Sequence, residues 1–565
     1  MKKQTILAGA GIMAVAALLS RVLGWVRDHE IGRYWGSTLH TDAYWAAYMV
    51  PDFLYFLLAG GALGAAIIPT FSAYLRRHEE EESWQVANTL VTFLGLCALA
   101  GIALIIVFAP GLVTLAAAGF RKDVGKANEA IIYARLLAPM VLFTVLSALF
   151  TGILQAHRHY TAPAFAWLVY NVGIIAGAVV GGRYFISRGD VAGLRVLCMG
   201  VVVGAALLVL VQIPALLARG FRFRPNLDLS RPGVREVLRL FLPYMAGLAF
   251  TQICLLWLPS FFGSFFPSGV TSLRYANRLV VLPLGVFGIA ISTAAFPAMA
   301  EHIAAGEAAA FRKLFSGALR ATLFLSVPCA AVLVVLAGPI LRLLWQTGRF
   351  KEAAVSAATF CLVYYAVSLI GLAGLQVVNR AFYSLKDTRT PPLVGIGYTT
   401  LIVILAFGLK SSGLQYASIA AATSVGVTVG MLIMFEVLRR RLGGIDGRAI
   451  AVSFLRVLFA SLVMAAVSFF VAQYVGRGLG VPVTRFASRA PMVEVVRDAQ
   501  APGTADGARS ATPHQTFSLT KVAVQVVASL LAGFAVYLLV LRLLGAPEIH
   551  SVRETLRRRR TSPRD

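Results

Sequence analysis

Acidic residues are scarce in this chain: 25 Asp and Glu stand against 51 Lys and Arg, and the four types together make up 13% of 565 residues. Soluble domains carry roughly 25% charged residues, so a surface bathed in water on all sides is excluded. Paired cysteine spacing is also missing. Cys97, Cys198, Cys254, Cys329 and Cys361 sit singly in apolar stretches, which argues against a disulfide framework or a thiolate metal site and leaves them as small hydrophobes. There is no HExxH, Walker A loop, nucleophile elbow or DxD-like acidic cluster. His29-Glu30 lacks a second histidine, and Glu79 to Glu82 follow Arg76-Arg77 in what reads as a solvated loop. Neither enzymatic activity, a metal nor a cofactor is expected, and no domain is available to house the donor site of a membrane glycosyltransferase.

Apolar residues are abundant, at 58% of the chain with a mean hydropathy of +0.78. The reading is an all-α polytopic membrane protein. Apolar runs of roughly 20 residues predict fourteen transmembrane helices, from 5–27 and 42–75 to 450–475 and 519–545. The apolar character continues from Ile6 past Arg21 to Val26 without a small-residue cleavage site, so the first run is expected to be a span and not a cleaved signal. Pro51, Gly60 and Gly61 predict a bent or broken second span.

An even number of spans puts both termini on one side. Arg76-Arg77, the stretch 219–235, Arg439-Arg440-Arg441 and the tail with Arg557 to Arg560 share that side and carry most of the loop charge, so the positive-inside rule predicts cytoplasmic termini. The formal charge of +26 then reflects topology and contact with anionic membrane lipids, and no nucleic acid partner is called for.

Three blocks recur in order at offsets of 228 or 229. Residues 67–73 (IIPTFSA) match 295–301 (AFPAMAE), the block from Ala109-Pro110 to Gly119-Phe120 matches Gly338-Pro339 to Phe350, and 155–163 (QAHRHYTAP) matches 383–391 (YSLKDTRTP). Duplication of a six-helix unit predicts two pseudo-symmetric six-helix lobes related by an axis along the membrane normal. The expected domains are an N-terminal lobe at 1–222, a C-terminal lobe at 223–445, and an addition at 446–565 comprising two helices, a flexible loop at about 477–517 and a basic tail.

Charges inside the spans are the candidate site. An Arg at the centre of a spanning helix costs roughly 3 kcal/mol on the lenient scale, so it faces protein or a water-filled cavity. Arg21 and Asp28 share a face of the first span, with Gly24 between them and Arg27 about a third of a turn away. Arg274 and Arg278 share a face of a later span, and Asp42 and Asp52 on the second could offset part of the charge. Guanidinium in excess over carboxylate suits an anionic ligand, since its planar fork binds phosphate oxygens bidentately.

The runs SRVLGWVRD, TDAYWAAYMVPDF, YANRLVVLPLGVFGIAISTAAFP and FYSLKDTRTP resemble the MurJ/MviN family of lipid II flippases, within the multidrug/oligosaccharidyl-lipid/polysaccharide exporter superfamily. The resemblance runs from about residue 5 to 440. It implies a multi-pass protein of the bacterial cytoplasmic membrane that moves an undecaprenyl-pyrophosphate-linked peptidoglycan precursor by alternating access. It further implies Arg21, Arg27 and Arg278 as cavity arginines, Asp28 and Asp42 as partner acids, a lipid-tail groove in the last two helices, and cell-wall synthesis proteins as partners. The chain departs from the family at Tyr55 and Phe56, where relatives carry basic residues, and at Gly60 and Asn277, where they carry acids. The apolar part of the seventh span, Phe241 to Phe262, offers Gln252 and no acid, so strict sodium coupling is not expected. The alternatives on the same scaffold are an exporter of another polyprenyl-linked oligosaccharide and a multidrug or cation exporter, whose site should be rich in carboxylates.

Overall fold

The computed structural model describes residues 2–59, 62–239, 241, 257–481 and 518–545, and no strand occurs among them. The described residues divide into two units, Met1–Thr271 with Thr347–Lys351, and Ser272–Gln346 with Glu352–Asp565. The lobe boundary at 222/223 remains an expectation of the repeat. The first unit contains α1 (Lys2–Trp35), α2 (Leu39–Ala59), α3 (Ala62–Arg76), α4 (Glu80–Ala116), α5 (Val124–Leu137), α6 (Met140–Ala156), α7 (Thr161–Val180) and α8 (Asp190–Leu210). Next comes α9 (Gly269–Pro283), which begins in the first unit and runs into the second. The second unit continues with α10 (Ala290–Ala304), α11 (Ala308–Val335), α12 (Ala337–Trp345), α13 (Glu352–Ser384), α14 (Thr390–Lys410), α15 (Ser418–Arg441), α16 (Gly447–Leu479) and α17 (Leu519–Leu543).

Among the described residues ten helices are long and apolar enough to cross a membrane, or eleven if α5 and α6 form one span bent by 40°. The expected seventh span, at 234–262, lies mostly outside the described residues, as do Gln252, Gly60, most of the loop at 477–517 and the basic tail. The four described cysteines are free, and Cys254 also lies outside. At 34 residues α1 is about 51 Å long, well beyond a hydrocarbon core of about 30 Å. Its charged C-terminal third can therefore extend past the apolar layer.

Breaks in the helices have identifiable causes. Pro110 cannot donate to the carbonyl of Ile106, and α4 leaves helical geometry at Phe108 (φ −98, ψ 15). The Ile106 carbonyl instead accepts from Arg135 Nε of α5 at 3.0 Å, meeting the requirement that freed backbone groups find a partner within the protein. Helix α7 packs on α8 through facing glycines: a Cβ at Gly173 would lie 2.5 Å from Gly204 Cα, and one at Gly177 would lie 2.7 Å from Gly200 Cα. This is the small-residue spacing that lets membrane helices approach closely.

The duplication is visible as backbone geometry. Arg158 (φ 58) and Lys386 (φ 59), 228 residues apart, both occupy the left-handed region that non-glycine residues seldom enter. The turns match bond for bond: His159 N donates to Leu154 O at 2.8 Å, and Asp387 N to Phe382 O at 3.0 Å. The same holds for His78 (φ 61) and Gly306 (φ 75). There Glu79 N bonds Tyr74 O and Glu307 N bonds His302 O, each closing a helix with a 6→1 C-terminal turn.

Candidate functional site

Arg21 lies on α1 and is exposed. It emerges on the face that also carries Leu18, Val22 and Trp25, all of them exposed. Among the described residues no ion pair involves Arg21. Arg27 is the opposite case, with its side chain only 11% exposed. Its Nε donates to Asp28 Oδ1 at 2.9 Å, its NH2 lies 2.8 Å from the same oxygen, and its NH1 donates to Asn171 Oδ1 at 3.3 Å. Asn171 is itself held by donating to Trp167 O at 2.9 Å and Ser20 Oγ at 3.3 Å. A Cβ at Gly24 would lie 3.9 Å from Asn171 Oδ1, an ordinary contact, so this arrangement does not require a glycine there. Asp28, buried at 4% exposure, thus pairs with its sequence neighbour Arg27. Close by, the hydroxyls of Tyr48 and Tyr170 meet at 2.9 Å.

Asp42 is fully buried and both its oxygens are engaged. Oδ1 accepts from Thr271 N at 2.8 Å and Thr271 Oγ1 at 2.7 Å, and Oδ2 accepts from Lys126 Nζ at 2.9 Å. The Lys126 ammonium also lies 4.2 Å from the Phe120 ring centroid, an additional attraction for a desolvated cation. Because Thr271 sits in the first turn of α9, the carboxylate also meets the positive end of that helix dipole. Asp42 ties α2 to α5 and to the start of the helix that carries Arg274 and Arg278. Along α9, Arg274 is half-buried and Arg278 exposed, one turn apart on a single face, with Asn277 half-buried beside them.

A second cluster forms where Thr347–Lys351 packs within the first unit. Arg349 forms a bidentate pair with Asp190, at 2.5 and 2.9 Å. The Arg349 amide donates to Arg33 O at 2.9 Å, and Thr347 Oγ1 lies 3.3 Å from His29 Nε2. Gly348 (φ +56) and Gly36 (φ +64) permit this approach, since a Cβ at either would fall within 2.4 Å of a backbone oxygen across the contact.

Sequence reasoning missed Asn171, Lys126, Thr271 and the Arg349–Asp190 pair. Lys126 and Asp190 carried a usable signal as charged residues beside apolar runs, and Asn171 as a polar residue within one. None of them revealed its partner. Among the described residues no group of His, Cys, Asp and Glu could hold a metal ion.

The family model for the lipid II flippase MurJ matches residues 31–484. A probable lipid II flippase MurJ from Rhizobium meliloti is 31% identical over 460 residues, covering 80% of this chain and 84% of the relative. Among solved structures, a lipid II flippase MurJ in an inward closed conformation superposes with a TM-score of 0.73 at 21% identity, covering 95% of this chain and 99% of that one. An inward-facing multidrug resistance MATE family transporter of the MOP superfamily gives 0.61 at 14% identity, covering 76% and 98%. These two likenesses bear on the fold.

Proposed function

We propose, since the chain belongs to the MurJ family of lipid II flippases, that it carries the undecaprenyl-pyrophosphate-linked peptidoglycan precursor from the inner to the outer leaflet by alternating access. It is a multi-span membrane transporter, read here as residing in the bacterial cytoplasmic membrane with both termini cytoplasmic. The substrate's pyrophosphate would be held by Arg21, Arg27 and Arg278, with Arg274 in support. Cell-wall synthesis proteins would act beside it.

The observation that carries this site is the charge balance of α1. On α1 the carboxylate of Asp28 is bound by Arg27, while Arg21, two turns earlier, is exposed. Arg27 is thereby fixed in orientation, while exposed Arg21 offers its fork to an anion. A cation or multidrug exporter would need free carboxylates, whereas Asp28 and Asp42 are both committed to cations of the protein itself. Outward movement of an anion from a negative cytoplasm gains about 2.3 kcal/mol per charge per 100 mV, so membrane potential is the expected driving force.

Complementation of a strain depleted of its own lipid II flippase tests the assignment. The wild-type chain should restore growth, and replacement of Arg21, Arg27 and Arg278 by Ala should abolish it. Growth of the triple variant at the wild-type rate would overturn the site. Transport in vesicles that stopped when sodium was replaced by potassium at constant potential would overturn the driving force.

A further inference from the structure

Apart from these arginines, the second unit holds a cavity of about 580 Å3 where the start of α16 meets α11. Its charged and polar lining is Arg320 from α11 with Asp446, Arg448, Ser453 and Arg456. Three guanidiniums therefore surround one carboxylate, and the α16 N-terminus adds its partial positive charge. Arg456 is steadied by donating to Gly545 O at 3.3 Å, just past the end of α17, and Ser453 is buried. Such an excess of planar cations is built for phosphate oxygens.

The cavity does not stand alone. Val452 also lines it, and Val452 begins a strip of exposed apolar side chains that continues through Leu455, Phe459 and Leu462. Spacings of three and four residues keep these on one face of α16. The strip runs about 15 Å along the helix, close to the depth of one leaflet of a hydrocarbon core about 30 Å thick. A cationic cavity that opens onto an apolar strip matches a molecule with an anionic head and a hydrocarbon tail.

We propose that this cavity binds the phosphate headgroup of an anionic glycerophospholipid, with an acyl chain laid along the α16 strip. The cavity's lining includes none of the arginines of α1 and α9. Inorganic phosphate shares the headgroup chemistry but has no use for the strip, which is why the lipid is the occupant chosen here.

The test uses the full-length protein in detergent, titrated with phosphatidylglycerol, phosphatidylcholine or inorganic phosphate, and read by native mass spectrometry and thermal unfolding. Phosphatidylglycerol should be retained as a discrete adduct and raise the unfolding midpoint, and the other two should do neither. At about 1 kcal/mol of surface electrostatic attraction per arginine, Arg448→Gln should weaken phosphatidylglycerol binding about fivefold and the Arg320→Gln/Arg448→Gln/Arg456→Gln variant about a hundredfold. Leu455→Ser with Phe459→Ser should also weaken it with no change in charge. Should the triple variant fail to fold, Arg448→Gln decides, because Arg448 is exposed. Equal retention of phosphatidylcholine, undiminished binding by the arginine variants, or the same midpoint shift with phosphate alone would each overturn the proposal.

Discussion

Asp42 and Thr271 are 229 residues apart in the chain, yet one carboxylate oxygen of Asp42 accepts both the amide and the hydroxyl of Thr271, at 2.8 and 2.7 Å. The other oxygen receives the Lys126 ammonium, whose side chain is only 6% exposed. Removing the charge by Asp42→Asn leaves that ammonium buried without its counter-charge, at a cost of about 3–5 kcal/mol. We expect a clearly lowered unfolding midpoint for Asp42→Asn and partial recovery in Asp42→Asn/Lys126→Met. Equal midpoints for the two variants would mean that the pair contributes no coupling.

Asn171 should matter to Arg27 without belonging to the ligand site itself. Its Oδ1 accepts from Arg27 NH1, and its own amide is held by Trp167 O and Ser20 Oγ. A hydrogen bond to a charged group contributes about 1.5–3 kcal/mol, so Asn171→Ala should lower flipping in reconstituted vesicles by at least about tenfold. Asn171→Asp should retain more activity than Asn171→Ala, because an oxygen still faces the guanidinium. If the two variants behave alike, the residue fills space and does not orient Arg27.

Some of this was legible in the sequence, and the reasons differ by element. The spans could be read because apolar length is a local property. The repeat could be read at QAHRHYTAP and YSLKDTRTP because turns tolerate few residue types, and the structure gives Arg158 and Lys386 nearly identical φ values. Bends could be expected in over-long spans that carry proline, and the one near Pro110 is such a case, because its cause is local. Long-range pairings were not legible. Asp42 finds Lys126 on α5 and Arg349 finds Asp190 across 159 positions, and hydropathy carries no information about which charge meets which. The sequence placed Asp28 on the face of Arg21, but its neighbour Arg27 wraps back to claim it.

The docking of residues 347–351 depends on two glycines more than on the Arg349 pair. A side chain at Gly348 would collide with the Arg33 carbonyl and also sit at φ +56, whereas the Arg349–Asp190 bridge is partly exposed and such pairs contribute about 0–1 kcal/mol. Hydrogen exchange at the Arg349 amide, bonded to Arg33 O, should therefore rise strongly in Gly348→Ala and only slightly in Arg349→Ala. The reverse order would make the ion pair the anchor.

A pH dependence is expected at the turn between α13 and α14. Burial raises the affinity of Asp387 for a proton, but hydrogen bonds from the Thr390 hydroxyl and amide, the Arg389 amide and the Arg441 guanidinium outweigh it and hold the carboxyl down at about 2. The bonds to Thr390 and Arg389 lie at 2.6 to 3.0 Å. An ordinary Asp titrates near 3.9 in the unfolded chain, so the unfolded state binds the proton first as pH falls. The stabilisation is thus fully present above about pH 4 and is lost on descending through about pH 2. Asp387→Asn should lower the unfolding midpoint relative to wild type at pH 7, and the gap should shrink between pH 4 and pH 2. A gap unchanged over that interval would mean that the ionised carboxylate contributes nothing the amide cannot supply.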